Sequence, residues 1–315
     1  MERSDGRTER GHGAEAAAAR ALAEGKLILL PTETVYGLGA DASNASAVAA
    51  IFEAKGRPRF NPLIAHVADA AGAERIAVFD SPARKLADAF WPGPLTIVAP
   101  VRSREAVCDL ARAGLDSVAV RVPGHAKARE VLGLFGGAVV APSANRSGRP
   151  SPTTFRDAMD ETGFAAAEGV DGGPCAVGVE STVVSVLGGK VSLLRPGAVT
   201  REELEAVVGP LDTGDEGHRS PGRLTLHYAP DAPVRINVTT LHRGELLLGF
   251  GPGVGEERWS LSPTGDLREA AANLFRRFRE ADREKPSGIA VAPVPLDGLG
   301  EAINDRLRRA AGFVG

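Results

Sequence analysis

Residues 138–152 read Ala-Val-Val-Ala-Pro-Ser-Ala-Asn-Arg-Ser-Gly-Arg-Pro-Ser-Pro. The first four residues are a short apolar run that predicts a buried strand, and Pro142 closes it. The loop that follows carries neutral hydrogen-bond donors at Ser143, Asn145, Ser147 and Ser151. Loops beyond strand ends are common ligand sites in α/β folds, but their serines can also satisfy their own backbone. The stretch therefore predicts an α/β fold and leaves open whether this loop is a ligand site or a plain polar turn.

Similar apolar runs, separated by helical patterns, recur on both sides of this stretch. Further strands are predicted at residues 26–30, 63–67, 95–101, 117–122, 181–187 and 191–194. Helices are predicted at residues 15–24, 46–54, 82–90, 126–134 and 154–161, and at 200–208 behind a capping box of Thr200 and Glu203. Some strands follow one another without a helix between them, which favours a mixed sheet.

A polar, glycine-rich segment at residues 211–222 interrupts this pattern and predicts a linker. Beyond it, strands at 234–238, 245–250 and 289–293 and helices at 267–281 and 302–311 suggest a small α/β domain with a βαβ-like crossover. The basic residues of the last helix, Arg306, Arg308 and Arg309, are expected to form a solvated face. We therefore expect a disordered tail (1–13), an α/β domain (14–211), a linker (212–230) and a smaller α/β domain (231–315).

The composition excludes several classes of protein. The 315 residues carry a formal net charge of -3, which argues against a broadly basic surface that wraps nucleic acid. Two cysteines outside any CxxC pair supply neither a disulfide scaffold nor a cysteine-rich zinc site. We find neither an apolar secretion signal in the charged N-terminal segment nor an apolar run long enough to span a membrane. We expect a cytoplasmic protein.

The loop Lys55-Gly56-Arg57-Pro58 carries two cations on a backbone that proline stiffens. Arginine offers a planar fork to phosphate oxygens and lysine a point charge, so the loop suits a polyphosphate. A solvated surface loop is the alternative. Neither a GxxxxGK[ST] loop nor a GxGxxG turn after a strand is present, so any nucleotide would be bound in a less common way.

Three other residues have patterns that suggest either a site or plain structure. Thr34 follows the first predicted strand. Arg121 lies in the apolar run Val118-Ala-Val-Arg-Val, where a buried guanidinium requires an anionic partner, either a protein carboxylate or a substrate. His66 lies on another apolar strand, where a histidine is more often a satisfied core residue than a catalyst.

Taken in order, these segments resemble the YrdC-type threonylcarbamoyl-AMP synthase family in its longer two-domain form. The matching motifs are PTETVYGLG (31–39), KGRPRFNPL (55–63), WPGPLT (91–96), VAVRVP (118–123), APSANRSG (141–148), GVESTVV (178–184), LRPG (194–197), SPGRLTLHYAP (220–230) and GLGEAINDRL (298–307). The resemblance implies a twisted mixed-sheet YrdC-like domain with helices around it, then a linker and a smaller Rossmann-like α/β domain. It also implies that the linker, residues 212–230, closes over the active site.

The resemblance also implies the reaction, in which L-threonine, bicarbonate or CO2, and ATP give threonylcarbamoyl-adenylate and pyrophosphate. Mg2+ would be held through the ATP phosphates, with no protein ligand assigned. The product would supply the threonylcarbamoyl-transfer machinery that modifies tRNA.

The same resemblance assigns the site residues. The catalytic set implied is Lys55, Arg57, Ser143 and Asn145. Residues implied at ATP are Arg57, Asn61, Ser117, Ser143, Ser151, Arg195, His227 and Tyr228. Residues implied around threonine are Thr34, His66, Arg121, Ala141 and Ser181. Two alternatives remain open: an RNA-binding module without catalysis, and a carbamoyltransferase-type maturation domain. A weak direct contact with RNA also stays open.

Overall fold

The apolar runs of the first two thirds of the chain become one nine-stranded sheet in the computed structural model, which describes residues 8–212 and 227–312. The strands of this part are β1 (Leu27–Leu30), β2 (Gly37–Asp41), β3 (Ile64–His66), β4 (Leu95–Pro100), β5 (Ser117–Arg121), β6 (Val139–Val140), β7 (Ala166–Gly169), β8 (Thr182–Ser185) and β9 (Ser192–Arg195). The helices are α1 (Thr8–Ala23), α2 (Ala45–Lys55), α3 (Ala70–Ile76), α4 (Ser81–Phe90), α5 (Asp109–Arg112), α6 (Ala126–Phe135), α7 (Phe155–Thr162) and α8 (Arg201–Val208).

The sheet is mixed, as the sequence predicts. Its order is β7-β1-β2-β6-β3-β5-β4-β8-β9, with parallel pairing of β1 with β7, β3 with β5, and β4 with β8. Both faces are covered. On β1, Leu27 and Leu29 belong to one apolar core, while Ile28 and Leu30 belong to a second core on the α1 and α6 side. A strand buried on both faces has a continuous apolar run, which is why this strand is visible in the sequence.

The register of the central strands brings two predicted site residues together. In the parallel pair of β3 and β5, His66 lies beside Arg121 at the carboxyl ends of the strands. Ser117 begins β5 and so lies at the opposite end of the same strand. Because neighbouring strands are about 4.8 Å apart, the register alone places His66 and Arg121 side by side at the same end of these two strands.

The C-terminal part is a small three-stranded α/β unit. Its elements are β10 (Val234–Arg235), β11 (Glu245–Leu248), α9 (Leu267–Arg283), β12 (Gly288–Val291) and α10 (Leu299–Ala310). The strands are all parallel in the order β10-β12-β11, and α9 makes the predicted crossover between β11 and β12. This arrangement is compatible with the expected Rossmann-like unit. Its core also takes in Val35 and Val179 from the first domain, so the two domains share apolar contacts.

Some elements differ from the expectation. Helix α1 begins at Thr8, inside the segment predicted as a tail, while residues 1–7 lie outside the described part of the chain. Most of the predicted linker, residues 213–226, also lies outside it. Strands β2 and β7 and helix α3 have no counterpart among the predicted elements, because their sequences lack a strong period. No helix in residues 8–212 or 227–312 is long and apolar enough to cross a membrane.

Candidate active site

A cavity lies against the central strands β3 and β5, and residues of the first domain and of the end of the predicted linker line it. Most of the predicted site residues are among its walls, namely Thr34, Arg57, His66, Arg121, Ala141, Ser143, Ser181, Arg195, His227 and Tyr228. The predicted residues Lys55, Asn61, Ser117, Asn145 and Ser151 are not among the lining residues. The structure therefore brings together the proposed threonine set and much of the ATP set.

Lys55 joins the two predicted loops. It is the last residue of α2, and Gly56 ends the helix in the left-handed region at φ 59°. The Lys55 Nζ donates to the carbonyl oxygen of Ser143 at 2.5 Å and to that of Asn145, and the Ser147 amide donates back to the Lys55 carbonyl at 2.8 Å. Burial, and then the nearby Arg57, hold the pKa of Lys55 well below its usual range. The amine thus binds the backbone of the Ser-Asn loop rather than facing the cavity.

Asn145 fixes the next turn of that loop. Its Nδ2 donates to the carbonyl oxygens of Arg146 at 2.7 Å and Arg149 at 2.9 Å. Its Oδ1 is buried and has no hydrogen-bond partner among the described residues. An amide oxygen left in this state can accept a hydrogen bond from a ligand, since a buried polar atom without a partner is costly.

Arg57 and Arg195 are two of the three arginines that line the cavity. Arg195 donates to the carbonyl oxygen of Ser181 at 2.8 Å and to its Oγ at 3.1 Å. Within residues 8–212 and 227–312, Arg57 donates only to the Pro62 carbonyl oxygen, at 3.5 Å. Neither arginine forms an ion pair with another described residue. Burial, together with the neighbouring Arg195, lowers the pKa of Arg57 to about 10. Two partly desolvated cations without carboxylates form a site for an anion.

Arg121 has a protein carboxylate as its partner. Its guanidinium donates to Glu33 Oε1 at 2.6 Å, to Thr34 Oγ1 at 2.9 Å and to the Gly93 carbonyl at 3.2 Å. Burial would raise the pKa of Glu33, but Arg121, together with backbone hydrogen bonds, holds it below its usual value. The arginine still lines the cavity, so the ion pair explains how the charge is tolerated without removing it from the site.

His66 is neutral in this environment. Burial, and then the positive charge of Arg121, lower its pKa to about 3, and its Nδ1 lies 3.1 Å from the Ile64 carbonyl oxygen. Ser181, which also lines the cavity, shares a hydrogen bond of 2.8 Å with Thr96. The walls near Arg121 thus combine one cation with hydroxyl groups and a neutral imidazole, a set that suits an amino-acid ligand.

His227 and Tyr228, near the end of the predicted linker (212–230), form another wall of the cavity. The rings are in edge-to-face contact, with centroids 3.9 Å apart, and Tyr228 has a φ of 64°. The His227 amide donates to the Arg309 carbonyl at 3.3 Å, and the Ala229 amide donates to that of Gly148 at 2.8 Å. Burial, and then Glu180, raise the pKa of Tyr228 to about 12. This segment is therefore held between the Ser-Asn loop and α10.

Two charged residues of the site are absent from the predicted set. Glu180 lines the cavity, accepting from Ser151 Oγ at 2.8 Å and from Arg306 Nε at 3.1 Å. The prediction of a solvated face was wrong for Arg306, whose side chain is 0% exposed because it is enclosed by this partner and its own backbone contacts. The sequence could have indicated Glu180, because it is a carboxylate at the beginning of an apolar strand, directly before Ser181. It could not have indicated Arg306, which lies among other arginines on the same helix.

The comparisons with known proteins agree over the whole chain. A family model described as "Telomere recombination", covering Sua5, YciO and YrdC proteins, matches residues 20–197, and one described as "Threonylcarbamoyl-AMP synthase, C-terminal domain" matches residues 199–312. The threonylcarbamoyl-AMP synthase of Bacillus subtilis is 40% identical over 94% of this chain and 92% of its own, and that of Pyrococcus abyssi is 39% identical over 94% and 93%.

A solved structure has the same two-domain arrangement. The structure of Pyrococcus abyssi Sua5 complexed with L-threonine matches with a TM-score of 0.84 and 38% identity, covering 95% of this chain and 94% of that one. Together with the family models, this agreement extends across both domains and the junction between them. The chain belongs to the Sua5/YrdC family of threonylcarbamoyl-AMP synthases, in the form that carries a C-terminal Sua5 domain.

Proposed function

We propose that this protein forms threonylcarbamoyl-adenylate and pyrophosphate from L-threonine, bicarbonate or CO2, and ATP. The family to which the chain belongs supports the reaction, and the chemistry of the cavity supports the placement of the substrates. Threonine would lie against Thr34, His66, Arg121, Ala141 and Ser181. ATP would lie along Arg57, Asn61, Ser117, Ser143, Ser151, Arg195, His227 and Tyr228.

The threonine end of the cavity has a guanidinium for a carboxylate. Arg121 is held by Glu33 and Thr34 on one side and lines the cavity with the other, so it would pair with the carboxylate of threonine. The hydroxyl of Ser181 and the neutral ring of His66 are close enough to the same wall to contact the rest of the amino acid. His66 stays a candidate for the group that takes the proton of the amine, with a low pKa that makes it a weak base before substrate binds.

The reaction joins two anions, so the protein has to orient them and stabilise charge. The threonine nitrogen bonds to the carbon of CO2 and loses a proton, giving a carbamate. A carbamate oxygen then bonds to the α-phosphorus of ATP while the bond from that phosphorus to the bridging oxygen breaks, and pyrophosphate leaves with the electron pair. Arg57 and Arg195 would bind the phosphate oxygens on which this charge develops.

Mg2+ would accompany ATP as the usual counter-ion of its phosphates. Among the described residues that line the cavity, Glu180 is the one carboxylate, and each of its oxygens already accepts a hydrogen bond. The walls therefore offer the metal no free carboxylate, and phosphate oxygens and water would have to hold it.

The two arginines without a carboxylate partner carry this proposal. Arg57→Gln should raise the Kd for ATP by at least about ten-fold, because a hydrogen bond to a charged group contributes about 1.5–3 kcal/mol. Arg59→Gln is the matched control, since Arg59 is an exposed arginine two residues further along the same loop. Calorimetric titration with ATP, and pyrophosphate release with threonine and bicarbonate present, would measure both. Equal ATP affinity in the two variants would contradict the proposed placement.

An RNA-binding module without catalysis is the alternative function. It predicts no pyrophosphate release that depends on threonine, so the same assay separates the two. We also propose that the product serves threonylcarbamoyl transfer to tRNA in the cytoplasm. The free thiols of Cys108 and Cys175 support a reducing compartment.

A further inference from the structure

We propose that Arg306 on α10 is a positioning residue of the ATP site, acting through Glu180 on Ser151. It does not line the cavity and would not touch a substrate. It holds the Glu180 carboxylate, which lines the cavity, and that carboxylate accepts a hydrogen bond from Ser151 behind the cavity wall. The inference rests on the proposed position of ATP.

The three groups form a continuous line across the domain junction. Ser151 Oγ donates to Glu180 Oε1 at 2.8 Å, and Arg306 Nε donates to Glu180 Oε2 at 3.1 Å. Ser151 and Arg306 are 0% exposed, and Glu180 is 6% exposed. Because each carboxylate oxygen has its own donor, the orientation of the carboxylate is fixed from both sides. A change at α10 is therefore transmitted to Ser151 without any contact between the two.

Further contacts of Arg306 fix its own position. Its guanidinium also donates to the Pro196 carbonyl, next to Arg195, and to Asp305 Oδ2 at 3.1 Å. The carbon of the guanidinium lies 5.6 Å from the centre of the Tyr228 ring, near the outer limit of a cation–π contact. The shorter, charged contact with Glu180 is the stronger of the two routes into the site.

The charge of the pair is permanent over the working range of pH. Burial would raise the pKa of Glu180, but Arg306 first, and then Arg195, bring it down to about 2. The pKa of Arg306 is raised above its usual value, in spite of burial, by Tyr228 and Glu180. The link is therefore not a protonation switch.

A purely structural bridge between the domains is the competing explanation. The chain provides a matched case in Arg201 of α8, which pairs with Glu301 of the same helix α10 at 2.7 Å but is half-exposed and away from the cavity. If these arginines only attach α10 to the first domain, replacing either one should change the kinetics of the enzyme to the same extent. If Arg306 positions the site, it should differ from Arg201 in its effect on ATP.

The experiment compares Arg306→Lys, Arg201→Ala and Ser151→Ala by the KM for ATP and the KM for threonine in pyrophosphate release. Lysine can reach Glu180 but cannot hold the carboxylate and the Pro196 carbonyl in one planar fork. We expect the KM for ATP to rise by at least about ten-fold in Arg306→Lys and in Ser151→Ala. The KM for threonine should stay within about two-fold in both, and Arg201→Ala should change neither constant beyond that margin.

Combining Arg306→Lys with Ser151→Ala tests the route. The double variant should have about the KM for ATP of Ser151→Ala alone, because residues that act through one contact are not additive. If Arg306→Lys does not fold, Glu180→Gln with Arg306→Met, which leaves no unpaired charge inside, carries the same expectation. Unchanged KM values in Arg306→Lys, with a lowered melting temperature, would overturn the inference. An unchanged KM for ATP in Ser151→Ala would instead overturn the proposed position of ATP.

Discussion

At the scale of single residues, the site depends on how each buried charge is compensated. Arg121 has Glu33, and Arg306 has Glu180, whereas Arg57 and Arg195 have no carboxylate partner among the described residues. A guanidinium enclosed by protein is stable when an acid meets it, and otherwise it attracts an anion from solution. The pattern of pairing therefore separates the arginines that hold the wall from those that would bind the phosphates in the proposed function.

Glu33→Gln tests the role of the acid beside Arg121. Glutamine can still accept one hydrogen bond, but it removes the negative charge, so Arg121 would be freer to turn away from the cavity. We expect the KM for threonine to rise by about ten-fold with the KM for ATP nearly unchanged. Steady-state kinetics with each substrate varied in turn would measure this. A similar rise in both constants would contradict a local role of Glu33.

Lys55 marks the limit of prediction from residue type. A lysine and an arginine two residues apart predict a phosphate loop, and both do lie beside the Ser-Asn loop. The sequence cannot reveal that α2 continues to Lys55, which turns its amine onto two backbone carbonyls, while Arg57 begins the next segment. The end of the helix decides which cation lines the cavity, and ends are the least predictable part of a helix.

At the scale of elements, the end of α2 sets the basic loop. Asn44 caps the helix at its start, accepting from the amides of Ser46 and Ala47. Gly56 then takes up the left-handed conformation at the other end, so the chain reverses directly after Lys55. The direction in which Arg57 leaves the helix depends on this glycine.

Gly56→Ala should lower the free energy of unfolding by about 1 kcal/mol, because alanine is strained in the left-handed region. A Cβ at Gly56 would meet no atom within 4 Å, so the loss comes from the backbone alone. Gly114→Ala is the control, since it has a φ of 76° and equally open surroundings. Urea unfolding should show similar losses of stability in the two variants, whereas the affinity for ATP should fall in Gly56→Ala alone. Equal ATP affinity in both would show that the helix end does not aim Arg57.

Strong periodicity made most elements predictable. The capping box at Thr200 and Glu203 is formed as predicted, and the buried strands agree within a few residues. Strands β2 and β7 were missed because Gly-Leu-Gly-Ala-Asp and Ala-Ala-Glu-Gly have little β propensity. Pairing with β1 on both of its sides makes them strands, and this information lies elsewhere in the chain.

At the scale of the molecule, the two domains form one electrostatic unit around the cavity. Arg279 of α9 donates to Glu161 at 3.0 Å, and Arg306 of α10 meets Glu180, so both C-terminal helices place cations against acids of the first domain. Tyr228 packs on Phe275 with ring centroids 5.2 Å apart. The first domain does not supply all the walls of the site, since His227 and Tyr228 come from the end of the predicted linker, and the sequence could suggest this only through resemblance.

As the pH is lowered, the protein should begin to lose stability through its buried histidines at a higher pH than through its carboxylates. Burial lowers the pKa of His66 and His227 to about 3, against about 6.5 in the unfolded chain. A depressed histidine pKa means that protons bind the unfolded chain first, so stability is lost as the pH falls below about 6.5. At pH 5.5 each histidine should lower the free energy of unfolding by about 1.4 kcal/mol. The stability that ionised Glu180 contributes is still present at that pH and is lost only as the pH falls below about 4.5.

Urea unfolding at pH 7.5 and pH 5.5 measures this loss. His66→Gln or His227→Gln should each remove about half of the difference that the pair produces, and His242→Gln, whose side chain is 68% exposed, should leave the difference as it is. An unchanged pH dependence in both buried-site variants would contradict the assignment.

Dissolved ions should affect the buried ion pair at the domain junction and the arginines of the cavity very differently. Mobile ions screen charges that water can reach, over about 8–10 Å at physiological ionic strength, but they hardly enter the enclosed contact between Arg306 and Glu180. The seam between the halves should therefore tolerate changes of ionic strength. Arg57 and Arg195, which face an open cavity, are exposed to competition from any small oxyanion. High concentrations of phosphate or sulfate would thus inhibit the enzyme by binding to these arginines, and the fold would stay intact.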